Sequence, residues 1–190
     1  MSAPTDEELM ARVCADDATA FALLVRRYES SLFNYLRRFL QDAADAEDIF
    51  QEAFLKVHTH RHKFRLDAPF KPWLYRIATN LAKDRLRYRN RRRMLSIFSA
   101  HPSTPEVSLA DSIPAPGPGP DAQVEATETA ERLEVAVARL PEKHRAVFLM
   151  ARYEEMPYAA IAETLNIPEG TVKSRMNTAV KMLLEALKEA

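Results

Sequence analysis

The sequence predicts an all-α protein of two small helical domains joined by a flexible linker, and three observations carry that prediction. Apolar residues recur at three- and four-residue spacing along most of the chain, where a strand would alternate them. Glycine occurs only three times in 190 residues, while Ala, Leu, Arg and Glu are frequent. Proline and glycine gather in one place, Ile113–Pro120, and separate the helical stretches. A hydrophobic share of 47% is enough for packed cores.

In the first third, Phe21, Leu24, Val25, Tyr28, Leu32, Tyr35, Leu36 and Phe39 form the stripe of a long amphipathic helix. Asp42–Asp45 interrupts it. A second helix is expected from about Ala46, with Asp45 as N-cap, Glu47 and Asp48 favourable in the first turn, and Ile49, Phe50, Ala53, Phe54 and Val57 on its apolar side. A polar, His-rich bend over His58–Pro69 follows. Pro72 suits the first turn of a third helix, which runs through an inward stripe of Trp73, Ile77 and Leu81 towards Asn90. Three helices, or four, make this first domain, residues 1–95.

Between Ser96 and Glu131 there is no Lys or Arg, and acids stand at Glu106, Asp111, Asp121 and Glu125. Residues 96–126 therefore read as an extended, acidic, Pro-rich linker that resists helix formation. Periodicity resumes in residues 127–190. Leu133, Ala136, Val137 and Leu140 form one stripe, Pro141 restarts the chain into Ala146, Val147, Leu149 and Met150, and Pro157 and Pro168 mark two further starts. Four helices are expected there.

The net charge of zero hides segregation. From His58 to Arg93 the bases are Arg61, Lys63, Arg65, Lys71, Arg76, Lys83, Arg85, Arg87, Arg89, Arg91, Arg92 and Arg93, against only Asp67 and Asp84. A merely solvated helix would mix signs to gain i,i+4 pairs, so this stretch is built to meet a polyanion. No run of about eighteen apolar residues and no basic-then-apolar leader at Met1–Ala20 is present, so a cytoplasmic location without membrane insertion is expected. Cys14 is the only cysteine, which excludes an intramolecular disulfide and a Cys-rich zinc site.

Ile161, Ala162, Leu165, Ile167, Val172 and Met176 have the spacing of a helix-turn-helix. A short helix near Tyr158–Leu165 leads to a tight turn at Asn166–Ile167, where Asn166 tolerates the left-handed conformation, and a longer helix starts from Pro168. With Val172, Met176, Ala179 and Leu183 inward, Thr171, Lys173, Ser174, Asn177, Thr178 and Lys181 face outwards near the end of the helix that enters a major groove. Hydroxyls, an amide and ammonium groups suit base edges and phosphates.

Leu140-Pro141 with Arg145, then Tyr158, Ile161-Ala162, Ile167-Pro168 and Gly170-Thr171-Val172-Lys173-Ser174-Arg175, resembles the C-terminal region 4 of extracytoplasmic-function (ECF, group 4) sigma factors of the sigma-70 family. Tyr28, Asp45-Ala46-Glu47-Asp48-Ile49 with Gln51-Glu52 and Phe54, Phe64, Trp73-Leu74-Tyr75-Arg76-Ile77-Ala78, Asn80 and Asp84-Arg85 resemble region 2. Together the two sets cover most of the chain outside the linker and termini.

The resemblance implies a subunit that brings core RNA polymerase to promoter DNA and helps open it. It implies minus-10 recognition by Lys63, Phe64, Arg65, Arg76, Asn80, Lys83 and Arg87, and minus-35 recognition by Thr171, Lys173, Ser174, Arg175, Asn177, Thr178 and Lys181. It assigns Asp48, Gln51, Glu52 and Phe54 to the clamp helices of the largest polymerase subunit, and it implies an anti-sigma protein as regulator. The residues make physical sense of these roles. Arg76, Asn80, Lys83 and Arg87 recur at four, three and four, a basic stripe suited to phosphates. Phe64 suits core packing or contact with an unstacked base, and Trp73 suits the core or, with a ring edge exposed, holding the duplex apart.

The sequence departs from the family pattern at Ala160, where Glu is frequent, at Asn166, where Gly is frequent, and at Thr178 and Val180, where Arg is frequent. The last two lessen phosphate attraction by the second domain and leave a larger share to the first.

Two other classes fit less well. A stand-alone regulator would need a ligand-sensing first domain, and a sensor pocket is usually apolar, not basic. An enzyme acting on nucleic acid would need more than Asp6, Glu7, Glu8, Asp16, Asp17, Asp45, Glu47 and Asp48, which read as helix-start acids without a phosphate loop or nucleophile motif. His58, His60 and His62 lie among cations that oppose metal binding. No cofactor or metal is expected, and the free chain is expected to be a monomer.

Overall fold

The structure is a computed structural model that describes residues 3–98 and 120–188, helical throughout apart from short turns. The first module begins with a helix that periodicity alone did not single out, α1 (Asp6–Cys14). Thr5 and Glu8 form a reciprocal capping box at its start, with bonds of 3.2 and 2.9 Å, and Leu9, Met10 and Val13 are buried. Its neighbour Glu7 acts at a distance, accepting a 3.1 Å bond from the Phe70 N–H at the start of a later helix. The first module thus has four helices.

α2 (Ala18–Leu40) is the long stripe expected, with Leu24, Tyr28, Leu32, Tyr35, Leu36 and Phe39 buried. Asp17 caps it through the Thr19 and Ala20 amides. The Ala20 amide, followed by Arg12, holds the Asp17 carboxyl below its usual range. α3 (Ala43–Thr59) starts three residues before the expected point. Asp42, not Asp45, is its N-cap and accepts from the Asp45 amide at 2.9 Å. An acidic residue at either position satisfies the pattern of a helix start; Asp42 takes the cap, while Asp45, inside the first turn, pairs with Arg85 and Arg89 of α4.

A 3₁₀ turn (Arg61–Lys63) leads to α4 (Phe70–Phe98). Its most buried residues are Phe70, Leu74, Tyr75, Ala78 and Ala82, whereas Trp73, Ile77 and Leu81 are only partly buried. The inward face is therefore centred about one residue beyond the expected stripe. The reason is that α4 is packed on several sides, by α2 and α3 within its module and by a helix of the second. Inside this core the Tyr35 hydroxyl and Thr79 hydroxyl pair at 2.8 Å, which satisfies both where no water reaches.

The second module comprises α5 (Pro120–Arg139), α6 (Glu142–Arg152), α7 (Tyr158–Leu165) and α8 (Glu169–Lys188). Pro141, Pro157 and Pro168 stand just before the last three, as expected. Helix covers residues 96–98 and 120–126 of the stretch expected to be extended. The Pro/Gly run ends at Pro120, and the Asp-Ala-Gln-Val-Glu-Ala that follows continues a helix well behind a proline at its first position. The centre of that stretch, 99–119, lies outside the described residues. α7 and α8 form the helix-turn-helix with Val172 and Ala179 fully buried and Asn166 left-handed at φ 52° between them.

The two modules pack against each other, α4 on α7 and α2 on α6. Arg145 of α6 ties them: its guanidinium donates to the Phe39 carbonyl at 2.7 Å near the end of α2, and to the Ala138 and Leu140 carbonyls at 2.6 and 2.9 Å near the end of α5. One cation thereby satisfies carbonyls left over at two helix C-termini, where the helix dipole also favours positive charge.

The Asn166 turn generates a stability prediction. Asn166→Val should cost about 1–2 kcal/mol, since a β-branched residue resists positive φ. Asn166→Gly should stay within about 0.5 kcal/mol, because relief of backbone strain is offset by a freer unfolded chain. Urea unfolding of the three proteins checks both, and equal losses for Val and Gly would refute the account.

Candidate nucleic-acid interface

The 3₁₀ turn and the start of α4 enclose a cleft of about 170 Å³ lined by Lys63, Phe64, Arg65, Ala68, Pro69, Pro72, Trp73 and Arg76, with Glu163 of α7 at its edge. Phe64 is 7% exposed and forms the wall, its ring 5.0 Å from Trp73 and 5.9 Å from Phe70. The aromatic pair is thus core on one side and cleft lining on the other. Lys63, Arg65 and Arg76 bring positive charge to the same opening, so it is suited to an unstacked base with its phosphate.

The predicted basic stripe of α4 divides. Arg76, Asn80 and Arg87 are exposed, but Lys83 is half-buried, and desolvation lowers its pKa with Glu142 opposing and Arg175 and Arg87 reinforcing the shift. Asn80, Lys83 and Arg87 do not line the cleft.

Counting charges along the chain also overstates the free positive charge. Arg61 pairs with Asp16 at 2.6 Å, Lys71 with Glu154 at 3.3 Å, Arg85 with Asp45 at 2.5 Å and Arg89 with Asp45 at 3.1 Å, all to acids outside the basic stretch. These pairs fasten helices and the turns between them together. Arg65–Asp67 and Arg87–Asp84 are different, being exposed pairs of neighbours that a phosphate can replace at little cost.

On α8, Lys173, Ser174, Asn177, Thr178 and Lys181 are exposed, while Thr171 and Arg175 are partly covered. Ser174 and Thr178 donate their hydroxyl hydrogens back to the Thr171 and Ser174 carbonyls at 3.1 and 3.0 Å, which orients their lone pairs outwards. Lys173 pairs with Glu169 at 2.9 Å. The helix is held by His144, a buried side chain of α6 whose Nδ1 lies 3.2 Å from the Arg175 carbonyl, so that nitrogen donates.

The third surface is on α3. Glu47, Asp48 and Gln51 are exposed, with Glu52 partly so, and the Gln51 amide donates to Glu47 at 2.8 Å. Phe54, expected on the apolar side of this helix as well as at the clamp contact, is 4% exposed and packs on Phe21 and Phe50. The apolar side chain that does face out is Leu55, at 62%. It stands four residues after Gln51 and seven after Asp48, a helical spacing through which a lone apolar residue on a polar face could have been found.

No helix among the described residues is long and apolar enough to cross a membrane, and no group of three metal-ligating side chains occurs among them.

A helical module with a basic aromatic cleft, followed by a helix-turn-helix module, defines a two-part reader of nucleic acid. Sigma-70 region 2 matches residues 24–92, and Sigma-70, region 4 matches residues 130–183. The chain is 34% identical over 173 residues to the ECF RNA polymerase sigma factor SigW of Bacillus subtilis, covering 91% of each. It is 34% identical over 182 residues to the RNA polymerase sigma-H factor of Pseudomonas aeruginosa, covering 96% of this chain and 93% of that one. Among solved structures, the sigma factor RpoE from Bartonella quintana, in complex with the anti-sigma factor NepR, has the same fold, with a TM-score of 0.70 at 21% identity over 88% of this chain and 96% of that one. The chain belongs to the sigma-70 family, in its extracytoplasmic-function group, and is a non-catalytic specificity subunit of RNA polymerase.

The contrast on α3 is testable by unfolding. Phe54→Ala should destabilise the protein by about 3–5 kcal/mol, whereas Leu55→Asp should change stability by no more than about 0.5 kcal/mol. Similar losses for both would mean that the helix is turned differently.

Proposed function

We propose that the first module, through the cleft of Lys63, Phe64, Arg65 and Arg76, holds an unstacked base of the minus-10 element while Asn80 and Arg87 meet the adjoining backbone. Lys83 joins them once the second module moves away. The second module reads the minus-35 duplex with Thr171, Lys173, Ser174, Arg175, Asn177, Thr178 and Lys181. Asp48, Gln51 and Glu52, with Leu55 in place of Phe54, meet the clamp helices of the largest polymerase subunit, where acidic groups face basic ones around an apolar contact. The division of labour follows residues 1–95, 96–126 and 127–190. The protein works in the cytoplasm, where polymerase and promoter are.

The observation that carries this reading is the cleft itself, which joins a flat aromatic wall to cations contributed by a turn and a helix. RpoE of Bartonella quintana is bound by an anti-sigma factor in its solved complex. An anti-sigma protein covering both modules is the corresponding control here.

Run-off transcription with core polymerase free of other sigma factors, on a library of upstream regions, tests the function. Specific transcripts are expected. DNA binding without transcripts would point to a regulator, and altered nucleic acid to an enzyme. Leu55→Asp should weaken core binding in the same assay. In the polymerase complex, Arg76→Ala should flatten the dependence of log affinity on log salt by about 0.7, the contribution of one phosphate contact on a single strand, while Asn80→Ala should leave that slope unchanged. An unchanged slope in Arg76→Ala would remove this residue from the interface.

A further inference from the structure

His144, the third residue of α6, is polar and only 9% exposed in a helix whose other buried residues, Ala146, Val147, Phe148, Leu149 and Met150, are all apolar. Its Nδ1 lies 3.2 Å from the Arg175 carbonyl, near the middle of α8. A carbonyl only accepts, so Nδ1 carries the proton, and the bond ties α6 directly to α8. The other side-chain hydrogen bonds and ion pairs of α8 among the described residues stay inside that helix: Lys173 on Glu169, Ser174 on the Thr171 carbonyl and Thr178 on the Ser174 carbonyl.

We propose that His144 is a positioning residue for the reading of the minus-35 duplex. Its bond fixes how α8 is turned about its own axis, and the base discrimination of Ser174, Asn177 and Thr178 depends on that angle. The role rests on α8 being the helix that meets the minus-35 element.

Apolar packing holds α8 on its module but favours contact over any one angle. Val172, Ala179 and Leu183 are buried, and the burial of such side chains is non-directional. A hydrogen bond is directional and weakens steeply with misalignment. The His144 bond falls near the centre of the stretch 171–181 that carries the reading side chains, so it acts where a rotation of the helix is felt on both sides. Side-chain ends lie about 5–6 Å from a helix axis, and a turn of about 20° moves them by roughly 2 Å. Hydrogen bonds to base edges survive only over a range of about 0.5 Å.

Reach decides which residues feel such a turn. Ser174 and Thr178 are short and have already given their hydroxyl hydrogens to the helix, so each offers lone pairs in one direction. Asn177 is little longer. Lys173 and Lys181 have flexible four-carbon stems and follow a phosphate through their own rotamers. Loss of the His144 bond therefore blurs the discrimination between bases and leaves the electrostatic share of binding intact.

The test uses holoenzyme assembled from core polymerase and the full chain. Its probes are a duplex promoter recovered by run-off transcription with the wild-type chain, and copies of it with single base pairs of the minus-35 element exchanged. His144→Leu keeps the burial and removes the donor. Its preference for the parent promoter over the exchanged copies should fall by about five-fold or more, while the dependence of log affinity on log salt stays that of the wild type. His144→Asn should recover most of the preference, because its amide nitrogen can stand near the position of Nδ1. Val147→Ala, which opens a cavity in the same helix and leaves the bond in place, should lower the urea midpoint and keep the preference. Whatever the stability of the variants, ¹⁵N spectra of the wild-type chain at about pH 8 should show the His144 proton on Nδ1. An unchanged preference in His144→Leu, an equal loss in Val147→Ala, or a proton on Nε2 alone would each overturn the proposal. A wild-type preference that His144→Leu retains removes only the positioning role, whereas a wild-type holoenzyme blind to the exchanged copies sinks the assignment of α8 to the minus-35 element beneath it.

Discussion

Helix α4 is claimed from three directions, and the arrangement of the whole molecule depends on how it divides its circumference. Phe70, Leu74, Ala78 and Ala82 lie against α2 and α3, with the small alanines permitting close approach. Arg76 faces water and the cleft, and Asn80 faces water. Lys71 and the Tyr75 hydroxyl face the second module. Tyr75 shows how tightly these duties are joined, since its ring is packed edge-on against Tyr35 in the first module's core while its hydroxyl holds a carboxylate of the second. Any rotation of α4 that improved one contact would spoil the other two.

Ion pairing sorts the many cations into those that build the molecule and those that remain for a ligand. Asp45, largely covered, receives both Arg85 and Arg89 and thereby fixes α3 against α4. That contact also sets the outward face of α3, because α3 cannot turn without breaking it. Arg65 and Arg87, in contrast, pair with exposed neighbours two and three residues away. Water and salt screen such pairs strongly, so exchange of Asp67 or Asp84 for a phosphate involves little reorganisation. The positive charge of the stretch is therefore partly architectural and partly available, and the difference lies in where each acid comes from.

Local signals were legible wherever the chemistry is local. The helix-turn-helix, with Asn166 in the left-handed turn and the prolines ahead of α6, α7 and α8, follows from spacing and backbone sterics that neighbouring residues determine among themselves. Errors arose where a distant partner chose between equivalent local options. Asp42 and Asp45 each suited an N-cap, and in the fold Asp42 caps the helix while Asp45 holds Arg85 and Arg89 of α4. α1, with Leu9, Met10, Val13 and Cys14 in only nine residues, is too short for a period to repeat, yet its Thr5–Glu8 capping box was present in the sequence. Phe54 and Leu55 are adjacent apolar residues, and only the phase of α3 against α2 turns the first inwards and the second out.

By itself the sequence determined the helical class, the order of the two modules, the recognition helix and the residues from which a sigma-70 family member could be recognised. These depend on periodicity, caps and motifs, all of which act over a few residues. Tertiary structure alone decided that Arg145 would join the ends of α2 and α5, that Lys83 would be half-covered, and that Glu154 and Glu163 would meet the first module. Such contacts join positions dozens of residues apart in the chain. Their strength comes from shared burial and opposed charge at short range, quantities that exist only after the chain has folded.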